Sequence, residues 1–475
     1  MNFDLSKRHC YYFNELAKIP HGSKNEKAIS DYIVNKAKEL GLRYLQDEMF
    51  NVIVYKDGTN NSTSPVILQA HIDMVAEKNN DSDHDFNVDG LKLEVNDGYL
   101  SAKGTTLGAD DGHGVSYMLR IMEDNTLLHP PLELVFTVQE EIGLYGVMNL
   151  KKEYFKANRM IGLDGSGENI TAISSSGGCR VDLISELKYQ DNTFNTYSIS
   201  VLGLNGGHSG GCIHLERGNS NKIAFRILKE LQLANIDLTL VDIYGGLKDN
   251  AIPREAFITI SCNNNINEIE EIFNTTTSNI KNELKDSEDN LTFKLEQINI
   301  ADKKLDQEIS NNIINAFYLS YNGFLHKSLT IKDLTTVSLN LGILSIKENK
   351  LVGTFSLRSP IASAIDNLIN HLKVIANTFN LDINTKARYP GYDYNPKSKM
   401  RDLLSEVYKN DFNMELKTEA THGGLEIGVF DSLVDNLDVV TLGPKTYDIH
   451  TPYEKMDLES FDKVEKILIK FLEVL

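Results

Sequence analysis

The sequence predicts an α/β fold in which a mainly parallel sheet flanked by helices forms a catalytic domain and an α+β lid domain is inserted into it. Three observations carry this. Short apolar, β-prone runs alternate with amphipathic stretches as far as Asp164, and the texture changes from about Cys179 to Tyr389. The metal-ligand candidates His71, Asp110, Glu141, Asp164 and His450 occur on both sides of that middle segment and not inside it. The expected division is therefore 1–178 with 390–475 as one discontinuous domain, and 179–389 as the other. With 475 residues, 41% of them hydrophobic, the chain can bury two or three such cores.

Taken in order, Ser6 to Lys18 and Ser23 to Leu40 read as amphipathic helices, the second with Ser23 as its N-cap and Gly41 as its stop. Pro65 to Ala70 is an apolar run that delivers His71-Ile72-Asp73. Leu132 to Val138 does the same for Glu140-Glu141, and Met160 to Leu163 for Asp164. Open parallel sheets present ligands at the carboxyl ends of their strands, and three runs ending in donors fit that rule. Gly108-Ala109-Asp110-Asp111-Gly112 precedes the periodic stretch Val115 to Met122, which sets Asp110 in a glycine-bracketed loop entering a helix. The middle segment alternates helices (Asn221 to Leu233, Asn267 to Leu284, Ile361 to Phe379) with strands (Tyr197 to Leu202, Ala256 to Ser261, Lys350 to Leu357). Candidate donors return only with His450. The last stretch must then fold back onto the first.

The donor types point to a reaction class. A pair of divalent cations needs nitrogen and oxygen donors, one shared carboxylate, and open positions for a water ionised near neutral pH. His71, Asp110 and Asp164 suit one ion, and Asp110, Glu141 and His450 the other, with Asp110 as the bridge. Glu140, expected to face away from the metals in an extended segment because side chains alternate, is placed to shuttle a proton. Asp73, two residues after His71, is placed to orient that imidazole. An isolated His or carboxylate is more often packed or solvated, and His84, His113, His129, His326 and His371 are read that way.

Several stretches together resemble a known family. They are His71-Ile72-Asp73-Met74-Val75, Thr106 to Gly112, Gln139 to Leu144, Gly162-Leu163-Asp164, Gly206-Gly207-His208-Ser209-Gly210, Arg217-Gly218-Asn219, Asn250 to Arg254, Arg358-Ser359, His422 to Glu426 and His450-Thr451-Pro452. In this order they are similar to the co-catalytic zinc peptidases of the aminoacylase and carboxypeptidase type, and within them to the bacterial aminoacyl-histidine (Xaa-His) dipeptidases. The resemblance implies zinc, a dipeptide substrate with C-terminal histidine (carnosine-like ones included), and a homodimer formed through the lid, with His208 closing over an active site. Mn or Co would satisfy the same donors. Four positions depart from the pattern: His113 stands where an aliphatic residue is usual, Asp111 where Asn is frequent, and Cys212 and His214 vary the lid segment after Gly210-Gly211. These differences bear on substrate preference and leave the reaction class intact.

The expected chemistry is peptide hydrolysis by a metal-bridged hydroxide with Glu140 as general base and acid. His208, in a glycine-rich loop, is suited to the tetrahedral oxyanion. Arg358 is suited to the substrate carboxylate, with Asn250 beside it and Gly423-Gly424 offering backbone amides. Arg217 and Arg254 read as braces for the lid loops. An aminopeptidase or N-acyl amino-acid hydrolase would use the same metal set, and a non-catalytic descendant would lack a base or a ligand. None is missing here.

Composition excludes other classes. A net charge of −19, from 67 acidic against 48 basic residues, makes nucleic acid and anionic membrane surfaces poor partners. The first residues carry no apolar stretch after their positive charges, so no secretory signal is expected. Cys10, Cys179, Cys212 and Cys262 lack paired metal-binding spacing and read as free thiols of a reducing cytoplasm.

Overall fold

Strands Val66–His71 and Leu132–Thr137 are buried at every residue, as expected of strands covered on both faces. They form the centre of a six-stranded sheet in the computed structural model, which describes residues 3–475. The strand order is Arg43–Gln46, Val52–Lys56, Leu132–Thr137, Val66–His71, Arg159–Gly162, Asp438–Thr441. The last four run parallel, and the first two are an antiparallel extension. Because His71 pairs with Thr137 and Gln69 with Gly162, the three donor-bearing loops leave the sheet at one end and at nearly one level.

Helices Arg8–Leu16, Lys27–Glu39, Ala109–Glu123, Lys399–Asp411 and Leu458–Val474 cover this sheet, packing Phe13, Ile33, Tyr117, Phe461 and Phe471 into one core with the strand residues Val54, Leu68 and Leu134. The second helix begins at Lys27, with no side-chain cap. Ser23, expected to cap it, instead donates its hydroxyl to Asp73 Oδ2 at 2.8 Å. The first and last helices are joined by an ion-pair knot. His9 Nε2 lies 2.8 Å from Asp462, His9 Nδ1 3.1 Å from Glu465, and Lys7 and Arg120 supply further cations to these two carboxylates. Burial pulls the His9 pKa down, but Cys10 and Glu465 raise it to about 10 overall, so the ring is charged at neutral pH. His9, Cys10 and Asp462 are close enough to hold a metal, yet both carboxylates of the knot already have cationic partners.

The chain divides into two compact units. The first runs through Ser175 and resumes with Tyr392–Ala420 and Leu425–Leu475; the second is Ser176–Gly391 with Thr421–Gly424. The second unit is built on a nine-stranded antiparallel sheet whose core strands include Ala256–Cys262, Leu238–Gly245, Thr335–Lys347, Lys350–Ser359 and Gly177–Glu186. Helices Ser220–Leu233, Ile266–Glu283, Gln307–Leu319 and Ala362–Thr378 contribute Phe225, Phe273, Phe317 and Leu372 to its core. In this sheet Arg358 stands opposite Ser338 on one neighbouring strand and Gly178 on the other. No helix among the described residues is long and apolar enough to cross a membrane.

Candidate metal centre and active site

At the end of its strand the His71 ring is buried, and Nδ1 lies 2.9 Å from the backbone oxygen of Asp73. That bond places the ring proton on Nδ1 and leaves the Nε2 lone pair for a ligand. Nε2 is 3.0 Å from Asp110 Oδ1, while the other oxygen of the same carboxylate, Oδ2, is 3.3 Å from His450 Nε2. His450 Nε2 is also 3.0 Å from Glu141 Oε1. Donor atoms of His71, Asp110 and Glu141 all lie within 4.8 Å of one another. Asp110 therefore sits between two imidazoles, one on each oxygen.

The electrostatics are those of a cation site. Despite burial, hydrogen bonds with His450 and His71 hold Asp110 well below the usual carboxylate range. Burial, and then the charge of Asp110, pushes Asp164 up to about 7. The bond with Asp110, and then that with Glu141, raises His450 to about 10, so metal binding would displace its proton. Glu141 Oε1 is buried, and the contact with His450 Nε2 at 3.0 Å lies outside hydrogen-bond geometry, so a cation between the two would suit both. The donor set fits two divalent cations sharing Asp110.

Asp73 does more than the expected orientation of His71. Its carboxylate oxygen is 3.6 Å from His71 Nδ1, while the ring N–H donates to the backbone carbonyl of Asp73. The carboxylate instead accepts the N–H of Glu140 at 3.0 Å and of Glu141 at 3.3 Å, together with the Ser23 hydroxyl. It thus fixes the Glu140-Glu141 turn against the end of the His71 strand. That turn is not the extended segment expected from the sequence. The strand ends at Thr137, and Gln139 turns the chain at a positive φ of 54°, so strict alternation no longer sets where Glu140 points. Burial raises the Glu140 carboxyl well above its usual range, opposed by His71 and reinforced by Asp164, Glu426 and Glu141.

Two buried carboxylates complete the first unit's site and were not assigned roles from the sequence. Glu454, 2% exposed, accepts the amide N–H of Leu107 at 2.7 Å, Gly108 at 3.1 Å and Ala109 at 2.9 Å, so the loop that carries His450 clamps the one that carries Asp110. Glu426 accepts from Gln69 and from Thr137 at 2.7 Å beneath the His71 strand, and burial pushes it up to about 8. The helix beginning at Ala109 is broken at Asp110, whose ψ of 104° is extended. The loop-into-helix expectation for Asp110 matches this geometry.

The second unit holds the other candidates. Arg358, 4% exposed, has Tyr389 Oη and the His422 carbonyl each at 3.4 Å, and His208 Nε2 at 3.5 Å. Asp249, which bears on its charge, is paired with Arg180. His208 Nδ1 accepts the N–H of Gly210 and Gly211 at 3.2 and 3.1 Å, which puts its proton on Nε2. The Arg358 guanidinium and His208 Nε2–H are consequently two donors facing each other, an arrangement suited to an anionic oxygen between them. Asn250 holds Ser209 N–H on its carbonyl, beside the short pairing of His208 with Ala251. The Gly423 N–H is taken by Thr421 Oγ1 at 3.0 Å, and a side chain at Gly424 would strike the Tyr389 ring. His422 Nε2 meets Ser338 Oγ at 2.7 Å. Arg217 and Arg254 bond the carbonyls of Gly206 and Leu204, as braces would.

Comparison with known proteins matches residues 67–474 to the model of peptidase family M20/M25/M40. The chain is 33% identical over 468 residues to the cytosol non-specific dipeptidase of Escherichia coli, covering 97% of this chain and 96% of that one. It superposes on the aminoacylhistidine dipeptidase of Vibrio alginolyticus with a TM-score of 0.91 at 31% identity, over 98% and 96% of the two chains. The aminopeptidase PepT of Bacillus cereus shares the fold, with a TM-score of 0.57 at 16% identity over 99% of both chains.

Proposed function

Because the chain belongs to peptidase family M20/M25/M40, we propose that it hydrolyses dipeptides, Xaa-His among them, at a centre of two divalent cations. The observation that carries the reading is the shared carboxylate, Asp110, with His71 on one oxygen and His450 on the other. His71, Asp110 and Asp164 would hold one ion and Asp110, Glu141 and His450 the other, with zinc the metal proposed and Mn or Co compatible with the same donors. Bound there, the cations supply a polarised scissile carbonyl and a water of lowered pKa.

The protein's own groups do the rest. Glu140 takes a proton from the water, whose oxygen attacks the scissile carbonyl carbon, and then returns the proton to the leaving nitrogen as the C–N bond breaks. Asp73 keeps Glu140 in place through its backbone amide. His208 Nε2–H and Arg358 take the negatively charged oxygens of the substrate, with Asn250, Gly423 and Gly424 beside them.

The test is a substrate panel run before and after chelation, with elemental analysis. Ala-His is expected to be cleaved faster than a tripeptide, N-acetylalanine or Ala-His amide, and activity to vanish with the metal. Strong preference for the acylated substrate would instead identify an N-acyl amino-acid hydrolase, and tolerance of the amide would remove Arg358 as the carboxylate partner.

We assign the protein to the cytoplasm, supported by the name of the Escherichia coli relative. We also propose a homodimer through the second unit, where Leu247 is 97% exposed next to the stacked rings of Tyr244 and Phe257. Light scattering that returns the mass of one chain at micromolar concentration would refute the dimer.

A further inference from the structure

Resting on the two-cation reading above, we propose that His113 is a positioning residue wedged between the backbone segments that carry the two carboxylates serving the ion of His71. Its ring is 2% exposed. Nδ1 lies 2.5 Å from the carbonyl oxygen of Ala109, and Nε2 lies 2.8 Å from that of Leu163. These two residues immediately precede Asp110 and Asp164. Whichever ring nitrogen carries the proton, the hydrogen bond ends on backbone one residue away from a ligand carboxylate.

The surroundings bring the ring there. Gly114 allows the helix to approach the end of strand Arg159–Gly162, since a Cβ at that position would lie 2.5 Å from Asp111 Oδ1 and 2.7 Å from Leu163 Cβ. Asp111 Oδ1 is 3.4 Å from His113 Nε2 and accepts the Gly114 N–H at 3.2 Å. An aliphatic side chain at 113 could fill the space but would donate nothing to either carbonyl. The expectation from sequence, that His113 is a substituted core position, is therefore incomplete: the residue is buried, and its ring N–H is given to the ligand-bearing backbone. Neither ring nitrogen contacts Glu141 or His450, so the brace acts unequally on the two ions.

The experiment titrates the metal-free full-length protein and its variants with Co(II), following heat and visible absorption. The wild type is expected to take up two equivalents. His113→Ile should bind the ion of His71, which uses both Asp110 and Asp164, about tenfold more weakly, with an altered absorption band, and the other, which shares only Asp110, by a smaller factor, because removing a partner of the ligand-bearing backbone weakens metal affinity on that scale. His113→Asn and His113→Gln, each able to offer an N–H to one of these carbonyls as the ring does, should fall between. Both equivalents binding His113→Ile with wild-type affinity and spectrum would overturn the proposal. So would an equal loss of both with a lower thermal midpoint of the metal-free protein, which marks general loosening. If His113→Ile does not fold, the Asn and Gln variants carry the test, and wild-type affinities in both overturn it. A wild type that takes up no second equivalent would defeat the metal reading instead.

Discussion

Glu140→Gln retains both cations and loses turnover by about 10² to 10⁴-fold, the usual contribution of a general acid–base group. The variant keeps size and hydrogen-bonding capacity, and the backbone N–H that Asp73 accepts is untouched. Only the capacity to take and return a proton is removed. Because Glu140 is not among the proposed metal donors, elemental analysis should still find two ions, and KM should move far less than kcat. Turnover equal to the wild type would take the base out of the mechanism. Loss of metal alongside activity would show instead that Glu140 is a ligand.

Much of this site is legible in the sequence because its donors stand at the ends of apolar runs. Val66–His71 and Leu132–Thr137 are mostly apolar strands buried along their whole length, and such runs are recognisable without knowledge of their partners. The same local logic fails one residue past a strand. At Gln139 a positive φ turns the chain, and the side-chain alternation that would aim Glu140 ends with it. Ser23 has the type and position of a helix cap, but its hydroxyl is drawn to Asp73, a partner fifty residues away that no local pattern discloses. His113 looks like one polar residue in a periodic helix. Its meaning depends on Leu163, brought close by the missing side chain of Gly114.

Glu454 is the clearest case of a residue visible only in three dimensions, and its removal carries the second large expected effect. It lies four positions after His450, and its carboxylate receives amides of Leu107, Gly108 and Ala109, more than three hundred residues earlier in the chain. Without it three buried N–H groups lose their acceptor. At roughly 1–3 kcal/mol for each buried donor left unsatisfied, the loop would reorganise rather than tolerate the loss. That loop carries Asp110, the carboxylate facing both His71 and His450. Glu454→Ala is therefore expected to lower thermal stability and to release metal from both positions, with kcat falling in proportion to metal content. Glu454→Gln keeps one carbonyl oxygen toward the amides but turns an NH₂ against the others, so it should lie between Ala and wild type. Dialysis against a weak chelator followed by elemental analysis measures this directly. Two tightly held ions in Glu454→Ala would mean that the Asp110 loop keeps its shape unaided.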